Sequence, residues 1–174
     1  MQKRKHLLLL LVLLLVLTGC SQNNSGKFES ALKLFANGDY PEAADAFEKL
    51  GDYATAPTYA AYSRGLVFYE QGQYSAAEPY FAQTREFMYG EERYQYCHAI
   101  ALMEYGQYGE AAVCFRQMGE FEDAPMQAEY ALARAAEEAK DYEAALFSYE
   151  AAGDLHDAQD RLLNLQGQLY NRAI

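Results

Sequence analysis

Tyr40, Tyr74, Tyr108 and Tyr142 stand 34 residues apart, and a pattern travels with them. Three residues after each comes Ala43, Ala77, Ala111 or Ala145, and seven after each comes Phe47, Phe81, Phe115 or Tyr149. Two before are Gly38, Gly72, Gly106 and then Lys140. Nine before are the small residues Ala31, Gly65, Ala99 and Ala133, and twelve before are the aromatics Phe28, Tyr62, Tyr96 and Tyr130. No insertion disturbs the register across the four copies. A fixed period of this length marks an array of similar units.

The physics of one unit follows from its side chains. Tyr96, Ala99, Ile100 and Met103 recur at i, i+3, i+4 and i+7, which predicts an amphipathic helix. Gly106 ends it, because glycine takes the left-handed cap conformation without a Cβ clash. Ala111, Phe115 and Met118 mark a second helix. Ala99 and Ala111 are expected at similar heights on either side of the turn, where two small side chains let the helix backbones approach. Pro41 fits the start of its helix, since a first-turn N–H needs no partner. A second kind of turn separates the units: Gly51, Gly119 and Gly153 each follow a helix, and an apolar residue two positions on can fold back over its end. The second copy departs here, with Arg85 in place of glycine and Gly90 further on, so a different exit turn is expected.

The small residue before the first turn, the Gly-x-Tyr, the Ala and the following aromatic together resemble the tetratricopeptide repeat, a 34-residue helix–turn–helix unit. The resemblance covers about residues 25–159 and departs in two places. The first-helix aromatic comes one residue late, and the unit-ending proline is present only as the displaced Pro57 and Pro125. It implies an all-α fold over residues 27–174: a right-handed α-solenoid of four 34-residue repeats. Asp160 to Ile174 would be a last helix capping the stack.

The N-terminus carries an address. Lys3, Arg4, Lys5 and His6 precede an unbroken apolar run from Leu7 to Leu17, which ends in Leu17-Thr18-Gly19-Cys20. A basic region, a short apolar region and a small-residue cleavage zone read as a secretory signal over residues 1–19. The run falls short of the roughly 20 apolar residues that a spanning helix needs. Leu-Thr-Gly-Cys resembles the lipobox of bacterial lipoproteins. That family's chemistry implies a thioether-linked diacylglycerol on Cys20, cleavage before it, and an anchor on the extracytoplasmic face of a membrane of the cell envelope. This lipid is the one non-protein component expected. Residues 20–26 then form the lipidated Cys and a polar tether, whose six residues after the Cys reach at most about 20 Å.

Composition removes several functions. The 174 residues carry a formal charge of −11; without residues 1–19, which hold Lys3, Arg4 and Lys5 but no acid, 11 Lys and Arg face 25 Asp and Glu, or −14. Nucleic-acid binding needs clustered Lys and Arg and is not expected. No catalytic or metal site is expected either. After the signal only His98 and His156 remain, neither at metal-ligand spacing, and no phosphate loop, HExxH or nucleophile elbow is present. Cys97 lies about 200° round its helix from Ala99, so it faces away from the helix carrying Cys114; both are read as small buried hydrophobes without a bridge.

What remains is a surface. In the tetratricopeptide family the first helices line a concave groove that binds an extended peptide or a helix. Here those helices offer Tyr62, Leu66 and Tyr69, then Arg93, Tyr96, Ile100 and Met103, then Tyr130 and Arg134, with Glu70 and Glu104 beside them. An apolar, Tyr-rich strip with an acidic border fits a protein partner carrying Lys or Arg beside apolar anchors. The same aromatics fit plain packing of one repeat on the next. Self-assembly into a homo-oligomer and stacking of a small ligand or glycan on the tyrosines are the other functions weighed.

Overall fold

The computed structural model describes residues 23–173, and all regular structure among them is helical. The signal and Cys20 lie outside the described residues. Helix α1 covers residues 23–37, so residues 23–26, read as part of the tether, are helical. It is followed by α2 (Tyr40–Glu48), α3 (Ala56–Glu70), α4 (Tyr74–Gln83), α5 (Gly90–Glu104), α6 (Tyr108–Gln117), α7 (Ala124–Glu138), α8 (Tyr142–Ala152) and α9 (Ala158–Ala173). The even-numbered helices start at the four periodic tyrosines, and α3, α5, α7 and α9 also start 34 residues apart. Helix α2 packs on α3, and α4 to α9 pack each on the next. The chain divides into two compact units, one running to Gln71 and one from Gly72.

In the first unit Ala31, Ala43, Phe47, Leu50, Ala56 and Ala60 form a buried cluster. The Phe28 ring meets Phe47 edge-on at 5.5 Å, and Tyr59 stacks on Phe47 at 4.8 Å. In the second unit the first-helix aromatics repeat this edge contact: Tyr96 meets Phe115 at 5.6 Å and Tyr130 meets Tyr149 at 6.0 Å. Phe47, Phe81, Phe115 and Tyr149 are fully buried. Each such side chain contributes about 1.5–3 kcal/mol on burial. Alanines 31, 43, 99, 111, 133 and 145 are also fully buried, which leaves the paired backbones room to approach.

The turns explain how the register survives changes of residue. After α1 the Asp39 N–H donates to the Leu34 carbonyl (3.0 Å), after α5 the Gln107 N–H to Leu102 (2.8 Å), and after α7 the Asp141 N–H to Ala136 (2.9 Å). These six-to-one bonds need a left-handed residue before them. Gly38 and Gly106 supply it at φ of 86° and 76°, and Lys140 takes the same conformation at 60°. The exit turns behave differently. Gly51, Gly119 and Gly153 are left-handed, but Arg85 is not. There the chain passes so close to the start of α5 that a Cβ on Gly90 would sit 1.9 Å from the Thr84 carbonyl oxygen. Ala56, Ala124 and Ala158 hold the matching positions elsewhere.

Two substitutions test this account of the turns. Lys140→Gly should raise unfolding stability by about 1 kcal/mol by relieving a left-handed side chain. Gly90→Ala should lower it by on the order of 2–3 kcal/mol, since the atom it meets is backbone. Urea unfolding followed by helical circular dichroism measures both.

Candidate functional site

Most of the predicted strip is core: Tyr62, Leu66, Tyr69, Tyr96, Ile100 and Tyr130 are all buried, while Arg93, Met103 and Arg134 are half-buried. Tyr62, Leu66 and Tyr69 lie on α3 in the first unit and are buried. Arg64, between them in sequence, is tied to Glu48 at 2.8 Å and to Asp45 at 2.5 Å. In the second unit Tyr96 is only 2% exposed. Arg93 is half-buried, with its guanidinium 5.6 Å from the centre of the Tyr89 ring. The remaining four residues, Ile100, Met103, Tyr130 and Arg134, come together around one groove of about 390 Å³. Glu104, Tyr108, His156 and Asp157 complete it. The groove therefore lies on α5 and α7, the start of α6 and the turn before α9.

A repeated hydrogen-bond arrangement holds this region. The Tyr96 hydroxyl donates to Asp123, 27 residues on, at 2.5 Å, and the Tyr130 hydroxyl donates to Asp157 at 2.5 Å. Each aspartate stands just before the next helix and is gripped from four residues further on. Gln127 Nε2 donates to Asp123 at 3.1 Å, and Arg161 Nε donates to Asp157 at 2.8 Å. The rings of Tyr96 and Tyr130 thus pack on the second helix of their pair while their hydroxyls tie each pair to the next turn. Burial raises both phenols, and the adjacent aspartates raise them further. At Asp157 burial works against ionisation, but Tyr130 and Arg161 outweigh it and hold the carboxyl below its ordinary value.

The groove has a fixed cation and an acidic rim. The Arg134 guanidinium lies 4.4 Å over the Tyr108 ring, and its Nη1 is 3.4 Å from the Tyr130 hydroxyl. A guanidinium held over an aromatic face costs little further entropy when a ligand contacts it. His156 packs edge-on against Tyr130 at 4.7 Å, with Nε2 2.9 Å from Gln127 Oε1. Glu104 accepts a bond from Ser75 Oγ at 3.0 Å and is otherwise exposed at the rim. Ile100 and Met103 give the groove its apolar lining.

Cys97 is fully buried and its thiol is pushed up to about 12 by burial; Cys114 is partly exposed rather than buried as expected, and burial raises it too. Both thiols are free. Among the described residues no group of three or more His, Cys, Asp or Glu is placed to hold a metal ion. No protein family, curated protein or solved structure matches the chain.

Sequence reasoning missed Asp123, Asp157, Gln127 and His156. A usable signal was present: Asp123 and Asp157 are 34 apart, each directly before the alanine that opens a helix.

Asp157→Asn should lower stability by about 1 kcal/mol at neutral pH, a charged hydrogen bond discounted for solvent exposure. Because the folded carboxyl sits below its unfolded value near 4, that contribution is complete above the unfolded value. It is lost as pH falls through the folded one. Denaturant midpoints of parent and variant should therefore converge below about pH 4.

Proposed function

We propose that this protein is a non-catalytic interaction scaffold of a bacterial cell envelope, anchored through a diacylglycerol on Cys20. In this reading its helices are four tetratricopeptide-type repeats in a right-handed solenoid, closed by α9. It holds a protein partner by an apolar segment bearing Lys or Arg. The observation that carries the reading is the convergence of Ile100, Met103, Tyr130 and Arg134 on one groove with Glu104 and Asp157 at its rim. An apolar lining buries an anchor side chain, and the exposed Glu104 carboxylate favours a cation beside it. The aromatic Arg134–Tyr108 shelf fixes orientation. The basic and apolar run before Cys20 supports export and anchoring at the extracytoplasmic face.

Two measurements test the reading. Cys20→Ser in the full chain should abolish metabolic acyl labelling and release the protein from the membrane fraction; label retained by the variant would sink the anchor. A photo-crosslinking residue at Met103 should capture one recurring foreign protein through a basic, apolar segment. Glu104→Lys should cut that product at least tenfold, about 1.4 kcal/mol. An intact fold with no crosslink would overturn the groove assignment.

A further inference from the structure

Helix α9 has one face that the other described residues explain and one that they do not. Ala158 and Leu165 are buried against the cluster of Tyr149 and Ala152. On the other side Leu163 is 65% exposed and Tyr170 69% exposed, with Gly167 between them. Gly167 stands at the register of Ala31, Gly65, Ala99 and Ala133, all of which are buried. In α9 the position is exposed, and a Cβ there would meet nothing within 4 Å. Glycine inside a helix costs about 0.5–1 kcal/mol relative to alanine. Nothing among the described residues around Gly167 offsets that cost.

Charge narrows the choice of occupant. From Gly72 onward eighteen Asp and Glu face seven Lys and Arg, so two copies of this unit repel one another broadly. The outward stripe of α9, formed by Gln159, Leu163, Gln166, Gly167 and Tyr170, bears no charge. Beside it the helix carries Asp160 and Arg161, one charge of each sign. Here an identical acidic unit can approach without placing carboxylate against carboxylate.

Leu163 and Tyr170 lie at equal distances either side of the midpoint between Gln166 and Gly167. Two α9 helices laid antiparallel about a two-fold axis through that midpoint bring Leu163 of each copy against Tyr170 of the other. The same operation sets Gly167 of each against Gln166 of the other, where the absent side chain lets the backbones close up. A two-fold interface requires one patch complementary to itself, and this stripe meets that condition. We propose that α9 is a homodimerisation helix, with a second copy of this chain as the occupant of the Leu163–Gly167–Tyr170 face. The proposal does not depend on the lipid anchor or on the groove.

The test uses the full chain in excess detergent micelles. Equilibrium sedimentation should show a concentration-dependent dimer. Gln166→Cys, next to the axis, should form a disulfide-linked dimer on mild oxidation. Gln168→Cys, about 140° round the helix from Leu163, and the parent with its own thiols should not. Leu163→Glu should raise the concentration for half-association at least tenfold. Gly167→Leu should do the same while leaving the protomer at least as stable, which separates lost association from lost folding. A single monomer mass at every concentration overturns the proposal. Equal crosslinking at 166 and 168 overturns it as well, since it would report collision rather than a defined interface.

Discussion

Fully buried alanines set how closely the paired helices approach, and the positions of the larger side chains follow from that. Ala31 and Ala43 share one core cluster, and Ala133 and Ala145 share another, with no exposed surface at any of the four. A larger residue there would push the helices apart and open the edge contacts of Phe28 with Phe47 and of Tyr130 with Tyr149. Interiors at near-crystalline density do not absorb such displacement cheaply. The small residues and the aromatics are thus one device: the first sets the separation and the second fills the space it leaves.

The tyrosines extend that device from one helix pair to the next turn. A phenol has an apolar ring and a polar tip, so Tyr96 and Tyr130 serve packing and hydrogen bonding together. Their aspartate partners precede the next helix and are held in turn by Gln127 and Arg161. The groove of the second unit is a by-product of this arrangement. Once Tyr130 and Asp157 are fixed, Arg134 is drawn over Tyr108, and His156 closes one side.

Helix boundaries were legible in the residues because they depend on short-range rules. Gly106 marks the end of α5, Pro41 the start of α2, and the 34-residue spacing places the rest. The rules act through conformation rather than residue identity, as Lys140 shows by adopting the left-handed state that glycine takes elsewhere. Where the conformation itself changes, at Arg85, the neighbouring chain path moves, and Gly90 becomes the residue with no room for a side chain. The departure of that turn was visible in advance; the close approach to Thr84 was not, because it involves a backbone atom six residues away.

The candidate site divides along the same line. That the first helices carry an apolar, aromatic stripe bordered by acids follows from the sequence alone, since the stripe is a matter of periodicity. Which members of the stripe reach a surface was decided only by tertiary structure. Tyr96 and Tyr130 hold the same register, make the same bond and are both buried, and the partly buried Met103 and Arg134 bring side-chain surface to the groove. The physical reason is that a side chain's exposure depends on what packs over it. For Tyr96 and Tyr130 that includes the turns carrying Asp123 and Asp157, 27 residues further along. Local spacing fixes the direction in which a residue points, and only the packed neighbours determine whether anything is left there for a partner to touch.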